Sequence, residues 1–142
     1  MLRPSAAIPT EGEIRLRVRY CECDPMGVAH HSACVAWFEM GRTELLRSAG
    51  VTYAQMEAAG IFLVITRLEV KYRAPARYDD LLVLATRVTG GSRVRIEHEY
   101  ELWRDAEDGR GKSALLTTAT STLACVDETG RPRMLPEWLA TK

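Results

Sequence analysis

Tyr20-Cys21-Glu22-Cys23-Asp24-Pro25-Met26-Gly27-Val28-Ala29-His30-His31-Ser32 is the stretch on which the reading of this chain turns. Before it, Ile14, Leu16, Val18 and Tyr20 alternate with Arg15, Arg17 and Arg19, the period-two pattern of a strand with one buried face. After it, Cys34, Trp37, Phe38, Gly41 and Leu45 recur at helical spacing within Ala33 to Ala49, while Glu39, Arg42, Glu44 and Arg47 fall mostly elsewhere. Ser32 reads as the N-cap of that helix and Gly50 as its C-terminal stop. A strand therefore passes into a long helix through a corner that holds an acid, a tight turn and two adjacent histidines.

Working outward, residues 1 to about 12 contain two prolines and Gly12 and read as a flexible N-terminal arm, leaving one domain over 13–142. Downstream, Thr52-Tyr53-Ala54-Gln55 is a capping box, because a Thr hydroxyl and a Gln amide three residues on satisfy each other's backbone donors. A short second helix follows and stops at Gly60. Four alternating segments come next: Val64 to Tyr72 on even positions, Leu82 to Val88, Val94 to Leu102, and Leu115 to Val126. Ala74-Pro75-Ala76, Thr89-Gly90-Gly91, Asp108-Gly109-Arg110-Gly111 and Asp127-Glu128-Thr129-Gly130 supply the turns. Short turns favour antiparallel pairing, so the fold class is α+β with a five-stranded antiparallel sheet and one long helix on its concave side. One helix cannot cover such a sheet, which predicts a homodimer.

The totals narrow the function classes. The chain has 142 residues, 46% of them apolar, enough for one buried core. Its 19 basic and 19 acidic residues cancel, which argues against a nucleic-acid binder. No run approaches the ~18 apolar residues of a membrane span and the N-terminus lacks a secretion signal, so a cytoplasmic protein with reduced thiols is expected.

The corner carries the chemistry. A helix begins with unpaired N–H groups at the positive end of its dipole, so the segment entering Ser32 can hold an anion or a developing oxyanion. Pro25 fixes one backbone angle and Gly27 permits conformations other residues resist, so the turn can fold Asp24 back towards those donors. Acyl transfer needs that pairing, a base or nucleophile on one side of a carbonyl and donors facing its oxygen. A thioester suits it, because a thiolate leaving group needs little protonation. Each residue also has a plainer reading. Asp-Pro-x-Gly is an ordinary turn in which Asp caps local N–H groups; either histidine is a packed or solvated imidazole; Trp37 and Phe38 are core. Cys21, Cys23, His30, His31 and Cys34 match no common zinc-ligand spacing, so no metal is expected.

Val18-Arg19-Tyr20, Asp24-Pro25-Met26-Gly27-Val28, His31, Trp37-Phe38-Glu39 and Arg42-Thr43-Glu44 form an ordered set with Tyr72 to Asp80, Gly90-Gly91-Ser92-Arg93, Cys125-Val126-Asp127 and Gly130-Arg131-Pro132. Together, over about residues 14 to 137, they resemble the hotdog-fold acyl-CoA thioesterases of the 4-hydroxybenzoyl-CoA thioesterase and YbgC-like group. The resemblance implies a long helix wrapped by a curved sheet, active sites at a dimer interface, and dimers pairing into tetramers. It implies that Asp24 is general base or nucleophile, that the helix entrance with the His31 N–H polarises the thioester oxygen, and that the His31 side chain positions carbonyl or water. Ser92 and Arg93, with Arg131 as a weaker candidate, would contact coenzyme A. Trp37, Met56 and Phe62 would line the acyl tunnel. Coenzyme A enters as part of the substrate and no cofactor is implied. The same fold hosts hydratases and dehydratases of acyl thioesters, and a non-catalytic acyl-CoA binding module is a further alternative. The chain departs from the pattern after the histidine, where relatives commonly carry Asn-Tyr or Ser-Tyr and this chain has Ala33-Cys34.

Overall fold

The computed structural model describes residues 1–106 and 111–140; the turn expected at 108–111 lies, apart from Gly111, outside the described residues. In chain order the elements are β1 (Glu11–Arg17), α1 (Ala33–Arg47), α2 (Tyr53–Ala58), β2 (Phe62–Tyr72), β3 (Leu81–Gly91), β4 (Arg95–Asp105) and β5 (Lys112–Val126). The strands form one antiparallel sheet in the order β1-β3-β4-β5-β2. Strands β3, β4 and β5 are sequential neighbours, but β1 and β2, which bracket the helices in sequence, sit on opposite edges. The chain between them must cross the sheet, and α1 is the crossing, packed on β1 and β3. This is the hotdog arrangement implied by the resemblance: α+β, five antiparallel strands around one long helix.

The helix face read from periodicity is the buried one: Cys34, Trp37, Phe38, Gly41 and Leu45 are all buried, and Cys34, Trp37 and Phe38 share one core cluster with Leu16, Leu82, Leu84, Tyr100 and Leu102. Gly50 ends the helical segment with φ of 84°, a backbone angle that favours glycine. The capping box at α2 is present in both directions, Gln55 N–H to Thr52 Oγ1 at 3.2 Å and Thr52 N–H to Gln55 Oε1 at 3.0 Å. No helix among the described residues is long and apolar enough to cross a membrane.

In the segment read as an arm, 1–12, β1 begins at Glu11, the Ser5 N–H donates to the Ala49 carbonyl at 2.8 Å, and Leu2 and Ile8 pack on the second core cluster. Three expectations are corrected. Tyr20 does not extend the buried face of β1; a 3-10 turn over Tyr20–Glu22 swings it outward, where its ring meets Tyr78 edge-on. Arg42, assigned to the exposed face, is buried. In β2 the even-numbered pattern holds only after a bulge: register shifts between Ile65 and Arg67, so Leu63 packs inward before it and Leu68 and Val70 after it. One extra residue reverses the faces, and just before it Val64 (42% exposed) and Ile65 (41%) are both exposed on an edge strand.

At Gly41 the helix lies close against β3. A Cβ there would stand 2.3 Å from Thr86 Oγ1 and 2.8 Å from Leu84 Cδ2. Intrinsic helix propensity favours Ala over Gly by about 1 kcal/mol, but overpacking opposes it. We expect Gly41→Ala to destabilise the protein by about 1–3 kcal/mol, measured by urea denaturation; a gain in stability would contradict this close approach.

Candidate active site

The corner is a closed loop stitched at both ends. Cys23 and Ala29 form an isolated bridge, the Asp24 N–H donates to the Val28 carbonyl at 2.9 Å, and the Gly27 N–H donates to the Asp24 carbonyl at 3.0 Å. Gly27 holds φ of 76°, which a β-carbon would resist. Asp24 Oδ1 accepts the Met26 N–H at 2.9 Å and the Val28 N–H at 3.3 Å. The plainer reading of Asp24 as a turn cap is therefore physically true, and it uses one carboxylate oxygen. Among the described residues Oδ2 has no hydrogen-bond partner. The loop rests on the segment before β3, with the Ala29 N–H donating to the Ala76 carbonyl at 2.7 Å and the Tyr78 N–H to the Gly27 carbonyl at 3.0 Å.

Ser32 does not cap α1. Its backbone is already helical and its hydroxyl lies 2.8 Å from His30 Nδ1. The Ser32 N–H also points at Nδ1, at 3.2 Å, which makes that nitrogen an acceptor. The rings of His30 and His31 lie 4.0 Å apart between centroids, tilted by 36°. His31 is exposed, its carbonyl accepts the Tyr72 hydroxyl at 2.6 Å, and among the described residues its N–H has no partner. The Ser32, Ala33 and Val35 N–H groups are taken by His30 Nδ1, the His30 carbonyl and the Ser32 carbonyl, so the donor left for a developing oxyanion is the His31 N–H just ahead of α1.

A cleft of about 320 Å³ opens over this helix end, lined by Ala29, His31, Cys34, Trp37, Tyr72 and Ala74 among others. Its floor is fixed by Glu22, whose Oε2 accepts the Trp37 indole N–H at 2.7 Å and whose Oε1 accepts the Arg19 N–H at 2.7 Å. Burial works to raise the Glu22 carboxyl, but the hydrogen bonds from Arg19 and Trp37 outweigh it and hold it below the ordinary glutamate value. Burial, then the contact with Cys34, pushes the Tyr72 hydroxyl up to about 12, so it stays a neutral donor. Burial likewise raises the Cys34 thiol, which argues against a thiolate nucleophile.

Of the residues singled out in the sequence, the structure brings His31 and Trp37 into the cleft and puts Asp24 and Gly27 in the loop whose Val28 and Ala29 form its rim; Asp24 itself is half-buried and does not line the cleft within one chain. Ser92 and Arg93 lie in the β3–β4 turn and Arg131 beyond β5, at the opposite end of the sheet. The eleven residues of β3 at about 3.3 Å each put roughly 30 Å between those positions and the corner. Met56 is buried in the second core cluster, and neither it nor Phe62 lines the cleft. Sequence reasoning gave no role to Glu22 or Tyr72. Glu22 reads as one more polar residue of a loop, and Tyr72 as the end of a strand pattern, because their partners lie 15 and 41 residues away. The four cysteines are free, and no group of three or more His, Cys, Asp or Glu among the described residues is placed to hold a metal ion.

Comparison with known proteins points the same way. The acyl-CoA thioester hydrolase YbgC of Escherichia coli is 31% identical over 123 residues, covering 86% of this chain and 87% of that protein. The chloroplastic acyl-acyl carrier protein thioesterase ATL2 of Arabidopsis thaliana is 30% identical over 135 residues, covering 95% of this chain and 69% of that one. Among solved structures, the DHNA-CoA thioesterase of Staphylococcus aureus superposes with a TM-score of 0.80 at 31% identity, over 91% of this chain and 83% of the other. The corner, the helix and the whole sheet apart from β1 fall within residues 18–142, which match the family model in a single span, and the chain belongs to the thioesterase-like superfamily.

Proposed function

We propose that this protein hydrolyses acyl-CoA thioesters to free acid and CoA, with Asp24 as general base or nucleophile and the entrance to α1 polarising the carbonyl. The observation that carries this reading is the donor just ahead of α1: the His31 N–H, without a partner among the described residues, stands beside a cleft whose rim loop holds a carboxylate with one oxygen uncommitted. The thioester oxygen sits at the His31 N–H, and the His31 side chain orients carbonyl or water. Trp37 contributes to the wall of the acyl site. Coenzyme A is consumed as part of the substrate, and neither metal nor cofactor takes part.

The working unit is a homodimer, with dimers pairing into tetramers as the family resemblance suggests. Support comes from the outer edge of β2, which presents Val64, Ile65 and Tyr72 to solvent. Such an apolar edge needs cover, and Tyr72 belongs to the cleft. A second copy there would close the site. It would also bridge the distance along the sheet, since Ser92, Arg93 and Arg131 contact CoA only if it reaches them from another subunit's corner. Four free thiols favour the reducing cytoplasm as the place of action.

The test is release of free thiol, followed with a thiol-reactive dye, across aromatic, short-chain and long-chain acyl-CoAs. We expect turnover with at least one class. Saturable CoA binding with no thiol release from any of them would instead favour an acyl-CoA binding module.

A further inference from the structure

A second cavity, of about 400 Å³, lies between α1 and the end of the sheet remote from the corner. Its walls are mostly apolar, with Leu45, Leu46, Val88, Ile96, Leu123 and Trp138 prominent. Two buried polar side chains also line it. Arg42 is 7% exposed and its Nε has no partner; the Glu39 carboxylate stands 3.9 Å from Nη2 and is itself 65% exposed. The hydroxyls of Tyr53 and Tyr100 face the guanidinium, and burial raises the Tyr53 hydroxyl above its ordinary value. His98 is 6% exposed and its Nδ1 has no partner. Burial, then the neighbouring Arg42, lowers its pKa to about 4, so the imidazole is neutral at working pH.

Buried charges are normally paired and buried nitrogens hydrogen-bonded. Two buried nitrogens without a partner among the described residues, Arg42 Nε and His98 Nδ1, on side chains lining one apolar cavity of small-molecule size, fit a ligand with an anionic head and an apolar body. The cavity is separate from the catalytic cleft. Phe38 lies between Trp37 and Arg42 on the helix, and Tyr100 lies between His98 and Leu102 on β4; their rings stack at 4.6 Å and both are fully buried. Among the described residues none lines both spaces.

We propose that this chamber binds a free carboxylic acid, its carboxylate held by the Arg42 guanidinium and a proton on His98 Nδ1, its apolar body against the leucine and valine walls. An amine is repelled by Arg42, and an alcohol adds no charge beyond the distant, exposed Glu39 carboxylate that faces the cation. Acids are also the chemical class that thioester hydrolysis releases. That link, which would make the chamber a product sensor, rests on the proposed function; the binding itself does not.

The experiment is calorimetric titration of the purified protein with sodium octanoate, with 1-octanol and octylamine as uncharged and cationic counterparts. Octanoate should bind saturably at one per chain, at least tenfold tighter than either counterpart. Arg42→Gln and the cavity-filling Val88→Phe should each weaken it at least tenfold. Should Arg42→Gln not fold, the wild-type protein supplies a second readout: octanoate should raise the His98 pKa measured by NMR. Saturating CoA should leave octanoate affinity within twofold. No saturable binding, equal affinity for octanol, or an unmoved His98 titration would overturn the proposal, and competition by CoA would overturn the separation of the two sites. None of these readouts needs turnover, so an inactive enzyme would leave the result interpretable.

Discussion

Asp24→Asn should lower kcat for thioester hydrolysis by about a hundred- to ten-thousand-fold, the range a positioned proton-transfer group supplies, with no change in melting temperature. The structure makes this substitution decisive. Asp24 Oδ1 caps the Met26 and Val28 N–H groups, and an Asn carbonyl oxygen can accept the same two bonds. Asn therefore preserves the turn and removes only the charge and basicity. If the residue were a turn cap and nothing more, the Asp24→Asn variant would work as well as the native protein, and kcat within a few-fold of wild type would withdraw the catalytic assignment. Asp24→Ala removes both roles, so it should lose stability as well as rate. Single turnover in labelled water then separates the two chemistries: label confined to the product acid marks water attack, and label entering the aspartate marks a mixed anhydride.

The second large effect is on stability against pH. His98 is buried, and its folded-state pKa is lowered from 6.5 to about 4 by burial and then by Arg42. Between those values the unfolded chain binds a proton that the folded chain refuses, so stability rises with pH. The contribution is complete above pH 6.5 and is lost as pH falls towards 4. At 1.36 kcal/mol per unit it amounts to about 3 kcal/mol. Glu22 and Asp127 are held below their ordinary values of 4.5 and 3.8, so their contributions are lost only as pH falls through the bottom of this window and beneath it. Urea denaturation at intervals from about pH 7.5 to 4.5 should show the decline, and His98→Gln should flatten it whatever that variant does to absolute stability. An equal slope in both proteins would mean that His98 titrates freely in the fold.

Much of the architecture was legible because it rests on local periodicity. The helical spacing of Cys34, Trp37, Phe38, Gly41 and Leu45 names the face that is buried, and the alternation from Ile96 to Leu102 names the inner face of β4. The capping box at Thr52 needs only residues three apart. Where the structure departs from the pattern, the cause is a contact that periodicity does not record. A bulge at Thr66 reverses the faces of β2 without any mark in its alternation, and the cap expected at Ser32 is diverted to His30 by a contact two residues away. Arg42 looks like a solvated helix residue until β4 is laid against it.

For the site, the sequence by itself located the corner and its candidate base, because an acid, a proline, a glycine and a helix start are adjacent along the chain. Only the tertiary structure decided what surrounds them. The Glu22–Trp37 and Tyr72–His31 hydrogen bonds, the distance from the corner to Ser92 and Arg93, and the second cavity all join residues distant in sequence. The physical reason is that periodicity records which way a side chain faces, whereas its partner is chosen by how strands order themselves in the sheet. The order β1-β3-β4-β5-β2 is a property of the whole chain, carried by no single segment of it.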